Sequence, residues 1–489
     1  MRFPLLLLLL ASSAFAQPTV TRGGALKKRQ YQTYANATYY VDPAGSDSNA
    51  CTASGTSACL TLQGVFNKLP DIIRHTITIN VAAGTFVGDS TLSQKTITVS
   101  SASAANSVGV FITGAALQNV TPASGSATGT LSGTGSGNNP LPTFTVAGAG
   151  WTPNDFRGAF LVMTSGAQSG ARMPIVANDA TTLTTLPWST YPSAGDTFAI
   201  QIPSTILDGL TAFNSIQGDV GVVRFTNVTL TSSTSTTATL STYRAMPALQ
   251  LATSRVIKTT TAGPALSSNR GSLWSGGSTQ TSTSAPSVVM STGTGTAYSA
   301  TSPSSGISFG GHLVLYSATT YALTLTYVGS GGQIASARFS AETGSASGTA
   351  AQLTGVDGWS NSGVVAASIH VRCPVGSTGV GLELIGSSTT QYNVEVVNCG
   401  TGVRLGSPFT NGFTNQPSFF NVTTAFRCTN TTTCLDVRSG SRANIRVAPT
   451  FTGVTTEYIL DGTSYTEAFF SALPTTRIIS PVQSVLERY

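Results

Sequence analysis

Charge is what this chain has least of. It holds 24 Lys and Arg against 18 Asp and Glu in 489 residues. No stripe of basic residues with interleaved aromatics occurs, which excludes a nucleic-acid surface. Only three His are present, scattered over the whole length, and no Cys-x-x-Cys or Cys/His cluster has zinc spacing. No metal site follows from the residues, and no cofactor is evident. Outside the first residues no apolar run approaches the roughly 18 needed to span a bilayer, so no membrane span is expected. So little charge also argues against a set of solvated amphipathic helices.

What the chain does have is glycine, 51 residues of it, with abundant Ser and Thr. Neutral hydroxyl side chains suit many short strands packed side by side. Between His370 and Gly440 nearly the same pattern occurs three times: a β-prone run, a Cys, a turn of small residues, a second β run and a Gly/Ser turn. Cys373, Cys399 and Cys428 mark the repeats, 26 and 29 residues apart. A period of that size means stacked units, each burying its apolar side on the next. Strands this short with Gly, Ser, Thr and Asn corners point to a parallel β-solenoid.

The N-terminus reads as a secretory signal peptide over residues 1–16. Arg2 is the basic end, Phe3 to Leu10 the apolar stretch and Ala14-Phe15-Ala16 the cleavage signal, with the cut before Gln17. Residues 17–35 form a polar leader. Its basic cluster, Arg22, Lys27, Lys28 and Arg29, reads as a processing site, an anionic contact or a solvated tail. The net charge of +6 is mild and favours acidic over neutral glycans only weakly. Six Cys in an exported chain suit disulfides. Cys51/Cys59 and Cys428/Cys434 flank short loops, while Cys373 and Cys399 either stack as buried thiols or bridge adjacent units.

Thr61 caps an expected helix from Leu62 to Leu69, apolar along Leu62, Val65, Phe66 and Leu69 and stopped by Pro70. A strand is expected from Thr76 to Val81, and Gly84-Thr85-Phe86 turns the chain. The series Tyr40-Val41-Asp42, Gly45-Ser46-Asp47, Leu62-Gln63, Leu69-Pro70, Ile77 to Val81 and Gly84-Thr85-Phe86 resembles the opening segment of the pectin lyase-like superfamily. The resemblance covers this segment and the units after about residue 203, roughly two-thirds of the chain. It implies an all-β right-handed parallel β-helix whose N-terminal capping helix covers the first coil. It also implies a glycan partner, and calcium by analogy with its lyases alone. The fold hosts lyases, hydrolases, esterases, phage tailspikes and adhesins, so it names no activity. The Gly-His-Gly, Arg-Ile-Lys and clustered-acid motifs of its best-known enzymes are not present; Gly311-His312 and Asn444-Ile445-Arg446 are fragments of them.

The organisation expected from these signals is a cap and first coils over 36–140, a small inserted β module over 141–202, the main β-helix over 203–465 and a C-terminal cap over 466–489. Residues 121–140, rich in Gly, Ser and Thr, read as a linker. Apolar pairs recurring through the Ser/Thr-rich 231–306 favour irregular strands there over disorder.

Two clusters could carry chemistry. If Leu382/Leu384, Val403/Leu405 and Leu435/Val437 point inward, Glu383, Arg404 and Asp436 form an outward column about 4.8 Å apart. Such a column could bind a uronate, or place a base beside an Arg that stabilises a carbanion; otherwise it is a ladder of surface ion pairs. If Ile369, Val371 and Cys373 point inward, His370 and Arg372 face out, with Glu395 on the next unit, either as a general base and its partners or as a solvated strand face. His75 and His312 read as corner residues. Trp151, Trp188, Tyr191, Trp274 and Trp359 either stack on sugars or pack internally. Asn36, Asn119, Asn227, Asn421 and Asn430 sit in Asn-x-Ser/Thr patterns. The expected protein is secreted, extracellular or on the cell surface, a monomer or a homotrimer. Its partner is an extracellular polysaccharide, which it binds or also cleaves as a lyase or hydrolase; the rival reading is a non-catalytic adhesive protein.

Overall fold

The structure is a computed structural model. It describes residues 32–87, 95–97, 108–132, 141–188, 190–209, 222–232, 239–242, 248–259, 263–268, 273–275, 287–292, 294–302, 311–327, 337–355, 363–386, 388–406, 418–438, 440–460 and 477–479. The proposed signal peptide, most of the polar leader and most of the C-terminal cap lie outside these residues.

The described chain is nearly all β. Three long parallel sheets hold six, twelve and ten strands. In each, spatial order follows chain order, and the chain steps from sheet to sheet. Gly311–Ser317, Ala337–Thr343, Gly363–Arg372, Ser388–Val397 and Phe419–Thr429 lie side by side in the twelve-strand sheet. Between them the chain lays Leu323–Tyr327, Ala351–Gly355, Val380–Ile385 and Thr401–Leu405 side by side in the ten-strand sheet. This connectivity is compatible with a β-helix.

Period-two alternation explains the interior. Ile77–Val81 alternates buried and half-buried residues, with Ile77, Ile79 and Val81 inward. Parallel register then stacks like on like. Leu353, Leu384, Leu405, Val437 and Leu460 form one column of the ten-strand sheet. Val289, Leu315, Ala341, Val371, Val396 and Cys428 form another in the twelve-strand sheet. Each fully buried Leu or Val contributes roughly 1.5–3 kcal/mol by removal from water. The glycines between the strands allow close stacking: a Cβ on Gly402 would meet the carbonyl oxygen of Cys434 at 2.5 Å.

The helix spans Leu62–Lys68, and the Thr61 hydroxyl accepts the Gly64 N–H at 2.9 Å. Leu62, Val65, Phe66 and Leu69 are buried in the main core. All three Cys pairs are disulfides: Cys51–Cys59, Cys373–Cys399 and Cys428–Cys434. Cys373–Cys399 links neighbouring strands of the twelve-strand sheet at their ends, where the Cys373 N–H donates to Val397 O. This decides between stacked thiols and a bridge.

A seven-strand antiparallel sheet interrupts the parallel stack. It is built from Leu117–Asn119, Thr128–Thr130, Thr143–Thr145, Phe160–Met163, Arg172–Asn178, Thr182–Thr185 and Thr197–Pro203. Thr128–Thr130 lies inside the Gly/Ser/Thr-rich segment and pairs with Thr197–Ala199. Thr205–Asp208 follows the module and pairs directly with Gly84–Val87, so the parallel sheet resumes where it stopped.

The module has its own core around Phe144, Phe156, Phe160, Met173 and Ile175, and that core continues into Val288, Met290, Val314 and Tyr316 of the twelve-strand sheet. The module therefore sits on the outward face of that sheet.

Candidate functional site

The first cluster lies on the ten-strand sheet. In Val380–Ile385, Thr401–Leu405 and Thr433–Val437 the flanking Leu and Val residues point into the core. Glu383, Arg404 and Asp436 therefore share the opposite face and pair in register, Glu383 with Arg404 and Arg404 with Asp436. Arg404 Nε donates to Asp436 Oδ2 at 3.2 Å, and Arg404 Nη1 lies 3.8 Å from Glu383 Oε1. Two further residues extend the row. Gln352 Nε2 donates to Glu383 Oε2 at 2.8 Å. Arg438 forks onto Asp436, Nε to Oδ1 at 2.9 Å and Nη2 to Oδ2 at 2.6 Å. The carboxylates lie deep and the guanidiniums nearer the surface: side-chain exposure is 2% for Asp436 and 11% for Glu383, but 21% for Arg404 and 30% for Arg438. Burial, then the charge of Glu383, pushes the Tyr321 hydroxyl above the ordinary tyrosine range.

This arrangement presents donors over a fixed floor of acceptors. Asp436 accepts from both guanidiniums, while Glu383 accepts from the Gln352 amide and stands in ion-pair range of Arg404, so each ionised carboxylate faces donors and positive charge. The two carboxylates do not suit the calcium that the resemblance implies: a hard cation needs several free oxygens, and both guanidiniums stand on Asp436. Among the described residues no three His, Cys, Asp or Glu side chains gather as a metal site.

The second cluster lies on the twelve-strand sheet. Ser340, His370, Glu395 and Arg427 are successive members of one register column. His370 Nδ1 is 2.8 Å from Glu395 Oε2. Both side chains are buried, His370 completely. The cause is the module: the Leu141 N–H donates to the same Glu395 oxygen at 3.1 Å. One strand away, Arg157 of the module reaches Glu342 Oε2 at 3.1 Å and lies over the Tyr316 ring at 4.2 Å.

Burial alone would raise the Glu395 carboxyl. The hydrogen bond and charge of His370, the Leu141 N–H and the charge of Arg372 outweigh it and hold the group below the ordinary carboxylate range. Arg372 is half-buried beside Glu342. His370 therefore does not face solvent, and the column that alternation placed outward is the floor of the module's seat.

The covering of this face left a trace in the sequence. A strand open to water on one side alternates, but Ser287–Ser291 is buried at every position and Leu313, Val314 and Leu315 are buried consecutively. Continuous apolar runs such as Ser-Val-Val-Met and Leu-Val-Leu-Tyr signal a strand covered on both faces.

Of the aromatic candidates, Trp151 and Trp188 are buried in the module, their Nε1 atoms donating to Ser126 O and Thr185 Oγ1 at 2.9 Å each. Tyr191 is half-buried beside them. The Trp274 and His312 side chains and Trp359 lie outside the described residues. The His75 ring meets Thr33 in the N-terminal segment, distant in the chain from both clusters.

No family model matches the chain, and no curated protein sequence matches it. Among solved structures it is similar to the tailspike protein gp49 from Pseudomonas phage LKA1, at 12% identity and a TM-score of 0.35, over 85% of this chain and 72% of that one. It is also similar to a glycoside hydrolase, at 11% identity and a TM-score of 0.26, over 86% of this chain and 96% of that one. Both scores are low, so the architecture rests on the strand register itself.

Proposed function

We propose that this chain is an extracellular right-handed parallel β-helix that binds polysaccharide on its ten-strand face around Arg404. The supporting observation is the row Gln352–Glu383–Arg404–Asp436, four hydrogen-bonding side chains fixed by register on adjacent strands, with Arg438 reaching in from just past the last of them. Sugar hydroxyls both donate and accept, and the row offers both functions at a spacing of about 4.8 Å. Its side chains are held before a ligand arrives, so little conformational entropy is lost on binding. Three disulfides fit an oxidising exterior. In this reading the sealed His370–Glu395 pair clasps the module and touches no substrate.

A panel of neutral and acidic polysaccharides tests this, with binding and product release measured together. Retention on at least one glycan without cleavage products is the expected result. Unsaturated ends would add a lyase activity to the chain, and new reducing ends a hydrolase. No binding to any glycan would overturn the proposal in favour of an adhesive or spacer role.

A further inference from the structure

The five Asn-x-Ser/Thr patterns separate into two classes once the fold is known. Asn36, Asn119 and Asn430 are exposed, as are the hydroxyl residues two positions on, Thr38, Thr121 and Thr432. The other two are not. Asn421 is 9% exposed inside Phe419–Thr429, flanked in register by Thr390 and Asn444. Asn227 lies at a left-handed corner with φ of 54° and a buried Oδ1, and its Thr229 is buried.

We propose that Asn36, Asn119 and Asn430 carry N-linked oligosaccharides in the secreted protein, and that Asn227 and Asn421 do not. The donor is an oligosaccharide on a lipid diphosphate. The asparagine Nδ2 attacks the anomeric carbon, the carbon–oxygen bond to the diphosphate breaks, the lipid diphosphate leaves and the amide nitrogen loses one proton. Local geometry tolerates the product at all three positions. Asn36 uses its Oδ1 to accept the Thr76 N–H at 3.0 Å, and Asn119 uses its Oδ1 to accept from Gln201 Nε2 at 3.1 Å; the reaction consumes neither oxygen. Asn430 Nδ2 lies 3.4 Å from Asn398 Oδ1, and the glycosylated nitrogen keeps one proton for that contact. At Asn421 and Asn227 the amide oxygen is buried, so a glycan there would have to displace the residues that cover it, whereas Asn430 shares the left-handed backbone of Asn227 but is exposed.

The position of two of these sites gives the sugars a task. Asn36 directly precedes Ala37–Val41, the outermost strand of the six-strand sheet among the described residues. Asn119 ends Leu117–Asn119, the outermost strand of the seven-strand sheet. Outermost strands offer unpaired backbone groups to other chains, and bulky hydrophilic groups block that pairing. Cys51 and Cys59 already pair with the Tyr40 and Asp42 backbone, so the glycan on Asn36 guards only the Thr38 end of its edge, while the glycan on Asn119 guards the Leu117–Asn119 edge.

The test is secretion of the full chain from a yeast host, enzymatic deglycosylation and peptide mass analysis, which reads each occupied Asn as Asp. Occupancy at 36, 119 and 430 with unmodified 227 and 421 is expected. Unmodified Asn36 and Asn119, or a modified Asn227 or Asn421 in folded protein, would overturn the assignment. The double variant T38A/T121A removes both edge sites while keeping the asparagines and their hydrogen bonds. It should fold with an unchanged circular-dichroism spectrum yet show a larger multimer fraction on size exclusion. An unchanged multimer fraction would overturn the guarding role.

Discussion

His370 Nδ1 and Glu395 Oε2 meet at 2.8 Å across two adjacent parallel strands, and the first residue of the module's described core segment, Leu141, donates its N–H to the same oxygen at 3.1 Å. An ionised carboxylate only accepts, so His370 Nδ1 carries the proton. One carboxylate thus joins two strands of the parallel sheet to a separately cored module.

Removing that acceptor should be costly. Glu395→Ala leaves a buried imidazole N–H and a buried backbone N–H without their partner. Loss of one member of a buried pair costs about 3–5 kcal/mol. Denaturant midpoints of native, Glu395→Ala, His370→Ala and the double variant should give a coupling well above 0.5 kcal/mol, the level of independent sites. Additive effects would mean the pair is no clasp.

The same group sets an acid limb. The Glu395 carboxyl is held below its ordinary value in the folded protein. A depressed carboxyl contributes stability that is complete above its unfolded value, about 4.3, and is lost as pH falls through the folded value. Stability should therefore be insensitive to this group near neutrality and fall below about pH 4. Glu395→Gln should flatten that fall, as read from thermal midpoints across pH 3–7.

Arg157→Ala should loosen the module without unfolding the stack. It strips the guanidinium from the buried Glu342 carboxylate and from the Tyr316 ring. Hydrogen exchange should quicken in Phe160–Met163 and Gly311–Ser317 while Val380–Ile385 keeps its protection. Uniform quickening in all three would show that the module and stack open as one unit.

The disulfides should rank by the loops they close. Cys373–Cys399 spans 26 residues and Cys428–Cys434 spans 6. Loop-closure entropy gives about 3.5 kcal/mol for the first and about 2 kcal/mol for the second. The Cys373→Ser/Cys399→Ser variant should therefore melt below the Cys428→Ser/Cys434→Ser variant; the reverse order would point to strain or residual denatured structure instead.

Much of this architecture was legible because alternation and spacing are local signals. Leu382, Leu384, Val403, Leu405, Leu435 and Val437 put Glu383, Arg404 and Asp436 on one face, and the recurring order of strand, Cys, turn and strand put them on successive units. Thr61 and Pro70 bracketed the helix for similarly local reasons. The fate of His370 was not legible in that way. Alternation does turn its side chain away from the core, but what waits there is a module whose contacting residue, Leu141, lies more than two hundred positions earlier. Arg438 was also missed, because it forks onto Asp436 from beyond the end of Thr433–Val437.

The most direct measurement is glycan affinity of native protein against Arg404→Ala, with thermal midpoints recorded alongside. Arg404 is 21% exposed and stands between two carboxylates. If the ten-strand face holds polysaccharide, the variant should bind at least about tenfold more weakly, a loss near 1.4 kcal/mol, with its fold intact. Equal affinity in the two proteins would contradict the account.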